Sequence, residues 1–262
     1  MKYLQFSLLF FLVIIIASCD NLFEFSVYDA DVKQEQQNTT NKNLDLLKEI
    51  QVQSDTFKFA FLTDAHWFYD NLVTVVDDIN KKDEILFVIF GGDITEQAIL
   101  KEYTTFYDIM SKLNKPYFTV IGNHDYNTNG GLIYSRMFGA YNYSFEFNNN
   151  KFILFDNVVW ESEKLPDFNW LSNELQNNAA YNQVFSIAHI PPNGDQFTEE
   201  MKKTYEGLME DNNVPLSIHG HRHSFSFLEG DVSYLTLPSL KDTAYGIITV
   251  ENKSFNQELI EL

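Results

Sequence analysis

Residues Tyr117–Asp125 read Y-F-T-V-I-G-N-H-D: a largely apolar run that breaks without a spacer into a glycine, an amide, an imidazole and a carboxylate. The run suits a buried strand, and the polar block beyond it suits a loop at that strand's carboxyl end. Working outward, the same join recurs along the chain. Phe57–Leu62 precedes D-A-H at Asp64–His66, and Ile85–Phe90 precedes G-G-D at Gly91–Asp93. Val184–Ala188 leads into His189, and Leu216–Ile218 leads into G-H-R-H at Gly220–His223. Five of the six histidines fall in these blocks. An ordinary core has no reason to gather its histidines beside Asp, Asn and Gly. A site for two metal ions does, because it needs neutral nitrogen ligands together with carboxylates that offset the charge.

Between the apolar runs, the stretches Asn71–Asn80, Glu96–Leu113, Leu165–Asn178 and Thr198–Met209 carry helical spacing. Asn142–Phe147, Lys151–Asp156, Ser224–Leu228, Val232–Leu237 and Tyr245–Val250 read as further strands, with turn residues at Asn148–Asn150 and Glu229–Asp231. The α/β alternation comes first and a β-rich part follows. Near-continuous hydrophobicity in the early strands implies burial on both faces. In such sheets, ligands bind where the carboxyl ends of the strands meet the loops. Loops as far apart as Asp64 and His223 can therefore converge on one rim.

The chain has 262 residues, 45% of them hydrophobic, which is enough for one large domain with a full core. A formal net charge of −19 repels polyanions, so no stable nucleic-acid partner is expected. A small phosphate ester remains possible because two cations reverse the field locally. The single cysteine excludes a Cys-rich zinc module and a disulfide framework. It closes I-A-S-C at Ile16–Cys19, after the nearly apolar Tyr3–Ile16. That apolar run is short for a membrane span and right for a secretory signal. I-A-S-C resembles a bacterial lipobox. The resemblance implies residues 1–18 as signal peptide, lipid on Cys19, and anchorage to the bacterial cell envelope; the competing reading is an uncut signal anchor. Residues 19–55, polar over Asp29–Lys48, are expected to be a tether. The folded domain is expected over 56–262.

The candidate metal ligands are Asp64, His66, Asp93, Asn123, His189, His221 and His223. With one Asp bridging, they can hold two divalent ions. Mixed nitrogen and oxygen donors favour Mn, Fe, Zn, Co or Ni over Ca or an all-oxygen Mg site. His124 lies beside a ligand yet is surplus to the count, which makes it the candidate general acid; Asp125 is expected to orient it. His219 reads as a buried histidine outside the ligand set. Asp156 ends an apolar strand and mimics the motifs, but is left out. Arg222 is expected in solvent, and Trp67, Phe68 and Tyr69 are expected to pack rather than form a base platform.

The ordered series D-x-H, G-D, G-N-H-D, H and G-H-x-H resembles the calcineurin-like metallophosphoesterase superfamily over roughly Phe57–Leu240. Within it, the pattern is similar to bacterial class III cyclic-nucleotide phosphodiesterase-like members. The resemblance implies a four-layer α/β/β/α sandwich of two packed mixed sheets. It places Asp64, His66 and His223 on one metal, Asn123, His189 and His221 on the other, and Asp93 between them, with His124 as general acid. The purple acid phosphatase branch has a tyrosine where this chain has Glu96. The expected activity is hydrolysis of phosphate esters, of phosphodiester or nucleotide type, by a metal-bridging hydroxide. Two rivals remain: a surface lipoprotein using the fold as a binding module, and a metal-dependent nuclease.

Overall fold

This computed structural model describes residues 26–52, 54–176 and 178–262. The expected signal peptide and Cys19 lie outside the described residues. Side-chain alternation sets the layering. In β1 (Thr56–Leu62), Phe57, Phe59 and Phe61 join one core while Ala60 and Leu62 join another. β2 (Ile85–Phe90) repeats the split, with Phe87 and Ile89 against Val88 and Phe90. A strand apolar on both faces must be covered on both, and it is.

The first sheet runs β11-β10-β1-β2-β3, with β3 at Tyr117–Thr119, β10 at Ala244–Glu251 and β11 at Ser254–Glu261. β1, β2 and β3 are parallel, and β10 and β11 return antiparallel. The second sheet runs β4-β5-β6-β7-β9-β8. Its parallel core is β5 (Asn150–Phe155), β6 (Gln183–Ala188), β7 (Leu216–His219) and β9 (Ser233–Thr236). β4 (Tyr143–Phe147) and β8 (Ser226–Leu228) pair antiparallel at its edges.

The two sheets pack through phenylalanines. Phe59 stacks on Phe87 at 5.2 Å and meets Phe152 edge-on at 5.4 Å; Phe152 in turn stacks on Phe185 at 5.1 Å. Burying each ring is worth about 2–3 kcal/mol, with a further increment for the offset and edge-on geometries. Outside the first sheet lie α2 (Tyr69–Asn80), α3 (Leu100–Met110) and α4 (Gly130–Met137). Outside the second lie α5 (Phe168–Glu174) and α6 (Glu199–Asp211), which bury Leu171, Tyr205 and Met209. The four layers are those expected. The carboxyl ends of β1, β2, β3, β6 and β7 all feed the blocks read from the sequence.

The stretch expected as a tether is folded onto the domain. Residues Thr39–Lys48 form helix α1, which buries Thr39, Thr40, Asn43 and Leu47. Asn43 Oδ1 accepts the backbone N–H of Tyr117 at 3.0 Å, satisfying the exposed side of edge strand β3. Leu47 enters the inter-sheet core and Val32 the helix-layer core. Much of the buried face consists of Thr and Asn, so composition concealed it. No described helix is long and apolar enough to cross a membrane.

Candidate dimetal site

Sharp turns place the ligands. Asp64, His66, Asp93, His221 and His223 all have left-handed backbone, with φ of 56°, 46°, 52°, 69° and 50°. Non-glycine residues avoid that region, so five such residues in one cluster mark a constrained site. Glycine supplies clearance where the backbone passes closest. A Cβ on Gly122 would lie 2.2 Å from Asp93 Oδ1, and one on Gly220 would lie 2.5 Å from Asp64 Oδ2.

The side chains fall into two groups that share one carboxylate. Asp64, His66, Asp93 and His223 present donor atoms within 4.8 Å of one another, and so do Asp93, His189 and His221. His223 Nε2 lies 3.1 Å from Asp64 Oδ1, and His66 Nε2 lies 3.2 Å from His223 Nε2. His189 Nδ1 donates to the Gly91 carbonyl at 2.7 Å. A carbonyl only accepts, so Nδ1 carries a proton, and in the neutral ring Nε2 is the nitrogen with the lone pair. That Nε2 is fully buried, has no hydrogen-bond partner, and stands 3.2 Å from Asp93 Oδ2.

Asn123 and His221 repeat the logic. His221 Nε2 donates to Asp195 Oδ1 at 3.0 Å, which leaves its Nδ1 as a lone pair. Asn123 Nδ2 donates to Glu161 Oε1 at 3.2 Å, which leaves Oδ1 facing inward. Oδ1 and Nδ1 then face each other at 3.0 Å, two acceptors with no proton between them. A cation is what such a pair fits. The backbone N–H of His221 also reaches Asp64 Oδ2 at 3.1 Å, tying this group to the first.

Neighbouring charges set the protonation of these groups. Burial alone would raise the Asp64 carboxyl, but contacts with His223 and His66 and the charge of His189 hold it far below its ordinary range. Burial opposes charge on His189, yet the Asp93 carboxylate beside Nε2 pushes its pKa up to about 10, so a metal ion binding there would displace a proton from Nε2. Burial and the His189 charge hold His221 down, which keeps it a neutral donor.

All seven candidate ligands are therefore brought together. Asp125 departs from expectation: its carboxylate does not touch the His124 imidazole. It accepts N–H groups from Gly122 at 2.9 Å, Thr95 at 2.9 Å and Ile94 at 3.2 Å, and the Thr95 hydroxyl at 2.9 Å. Asp125 thus fastens the β3 turn to the β2 turn. The residue beside His124 is Glu96, whose backbone carbonyl accepts from His124 Nδ1 at 3.1 Å. The Glu96 carboxylate lies 2.7 Å from His66 Nδ1 and 3.6 Å from His124 Nδ1. In the sequence, Glu96 marks only the departure from the purple acid phosphatase branch; its position three residues after Asp93 is the signal that it lies near the site.

His219 is fully buried outside the cluster. It donates from Nδ1 to the Ala188 carbonyl and pairs with Ser217 Oγ, and burial pushes its pKa down to about 3. Asp156 accepts from Tyr126 Oη and the Val158 N–H, apart from both ligand groups. Arg222 is exposed and donates to the Asn193 carbonyl. It borders a cleft of about 290 Å³ with Lys202, Ser224 and Tyr234, and no ligand side chain lines that cleft. Trp67 does not pack as expected. It is 60% exposed and donates from Nε1 to Glu102, while Phe68 and Tyr69 pack against the core.

The family model for calcineurin-like phosphoesterases matches residues 57–225, well over half of the chain. The chain belongs to the calcineurin-like phosphoesterase family. It is thus a phosphoric ester hydrolase by family, and this family uses divalent metals. A protein of Xenorhabdus bovienii described as a probable cyclic nucleotide phosphodiesterase is 29% identical over 174 residues, covering 60% of this chain and 69% of that protein. A dimetal phosphatase from Danio rerio superimposes with a TM-score of 0.65 at 13% identity, covering 78% of this chain and 96% of the other. GAP50, the anchor in the inner membrane complex of Plasmodium, superimposes at 0.61 and 16% identity, covering 79% and 84%. At these identities the structural likenesses are of fold alone.

Proposed function

We propose that the chain is a dimetal phosphoesterase of the cell envelope, acting on phosphodiesters or nucleotide-type esters. The observation that carries this reading is the pair of ligand groups that share Asp93. Asp64, His66 and His223 would hold one divalent ion, Asn123, His189 and His221 the other, and Asp93 both. Such ions, when bound, lower the pKa of a water and offset the charge that builds on the phosphoryl oxygens.

The protein's own groups supply the rest. His124 keeps Nδ1 on the Glu96 carbonyl, so Nε2 is the nitrogen that can protonate a departing alkoxide. The T-shaped approach of the His66 and His124 rings, 4.7 Å between centroids, sets the acid beside the first ligand group. The net charge of −19 disfavours long nucleic acids as substrates. The relative described as a cyclic nucleotide phosphodiesterase supports a diester. An intact ligand set favours an enzyme over a binding module. The I-A-S-C stretch at Ile16–Cys19 supports anchorage through lipid on Cys19.

The test is a panel assay of mature protein loaded with Mn, Fe, Zn, Co or Ni, against aryl phosphomonoesters, aryl phosphodiesters and cyclic nucleotides. Diesters are expected to turn over fastest. Failure to hydrolyse any of them with any metal would sink the enzymatic reading. Anchorage is tested apart: Cys19→Ala should move the protein from the membrane fraction to the soluble fraction.

A further inference from the structure

An asparagine ligates through oxygen only if its amide is turned the right way, and the two orientations are nearly isosteric. A relay of hydrogen bonds fixes that orientation here. Gln196, 3% exposed, lies on the loop that follows β6 and His189. Its Oε1 accepts two backbone N–H groups, from Val159 at 2.9 Å and Trp160 at 3.1 Å. Oxygen must therefore face that backbone, and Nε2 must face the other way. There it donates to Glu161 Oε2 at 2.7 Å. The other oxygen, Oε1, accepts from Asn123 Nδ2 at 3.2 Å. A carboxylate cannot donate, so Asn123 has to present its NH2 to Glu161 and its Oδ1 to His221 Nδ1, 3.0 Å away.

We infer that Glu161 and Gln196 are positioning residues for the second metal ion, acting by fixing the amide orientation of Asn123. The inference rests on the dimetal reading above. It extends to a division of labour within one loop. Asp195 accepts a hydrogen bond from His221 Nε2–H while the adjacent Gln196 holds Glu161, so neighbouring residues prepare both lone pairs of the acceptor couple. The first ligand group has no link in this relay. Partners of this outer kind typically change metal affinity by about 10–100-fold.

Polarity can be reversed without changing shape. In Glu161→Gln, Gln196 still demands an acceptor, so the introduced amide turns its NH2 toward Asn123. Asn123 must then rotate and point its own NH2 at the ion. Adding Asn123→Asp restores the relay. The introduced carboxylate accepts from that amide on one oxygen and ligates with the other, and the net charge equals the parent's.

The experiment is calorimetric titration of the purified protein with Mn2+, with melting temperatures recorded alongside. The parent should bind two ions. Glu161→Gln should keep the first step and weaken the second by about 10–100-fold. Asn123→Asp with Glu161→Gln should regain at least the parent's second affinity. Asn123→Asp alone, which sets two carboxylates against each other, should bind the second ion less tightly than the double variant. Retention of both ions at parent affinity in Glu161→Gln overturns the inference, as does a double variant no better than that single one. A parent that binds fewer than two ions overturns the dimetal reading, and this inference with it.

Discussion

The Oδ2 atom of Asp93 lies 3.2 Å from Nε2 of His189, the nitrogen that carries the lone pair in the neutral ring. Asp93 Oδ1 meanwhile accepts the backbone N–H of His124 at 2.9 Å. One carboxylate thus serves both ligand groups and seats the candidate acid. Asp93→Ala is expected to abolish uptake of both ions and all turnover, as read by metal content after gel filtration and by the diester assay. Retention of two ions would refute the shared-ligand role.

His124→Ala should behave differently. It belongs to neither of the two donor groups that share Asp93, so metal content and melting temperature should match the parent. Turnover of esters with poor leaving groups should fall about 10²–10⁴-fold, whereas activated aryl esters, which need no proton, should lose much less. An equal loss on both substrate types would remove His124 from the acid's place.

Glu96 lies 2.7 Å from His66 Nδ1. A carboxylate on the far nitrogen orients a histidine ligand and raises its basicity. Glu96→Ala should weaken the first ion by about 10–100-fold and leave the second nearly unchanged. Metal titration separates the two steps, and unchanged affinity at the first would show that the contact is incidental.

Asp125→Ala should report on the fold. Four donors lose their acceptor in a fully buried place. At about 1–3 kcal/mol for each unsatisfied group, with partial relaxation, a cost of at least about 3 kcal/mol is expected. That corresponds to a drop of roughly 6–12 °C in melting temperature.

Asp156 gives a pH signature away from the metals. Burial raises its carboxyl from 3.8 to about 6, against the bonds from Tyr126 and Val158. A raised carboxyl favours the protonated form in the folded state. Its contribution is therefore present below pH 3.8 and is lost as pH rises through 6. Asp156→Asn should melt like the parent near pH 4 and above it at pH 7.5. The gain is bounded by about 3 kcal/mol, from 1.36 kcal/mol per pKa unit. A gap that stays constant with pH would show that the carboxyl is not shifted.

Much of this was legible because strand periodicity and loop chemistry agreed. Phe57–Leu62 and Ile85–Phe90 announced doubly covered strands, and their following residues announced ligands. What stayed hidden had weak local signals. β11 alternates exposed Ser, Asn and Glu with partly buried residues, as an edge strand does. α4 opens on two glycines, which disguise a helix start. Glu96, Glu161 and Gln196 act through partners about 30 or more positions away in the chain, or through backbone, and no spacing rule reveals that.

The left-handed turns at Asp64, His66, Asp93, His221 and His223 have a consequence for how this protein can be improved or ruined. Each costs of the order of 1 kcal/mol, so together they consume an amount comparable with a domain's whole net stability. Glycine at any of them should make a hardier molecule with no chemistry. Screens that reward thermal resistance alone would therefore drift toward an inert shell, and any stabilising design must hold these five positions fixed from the outset.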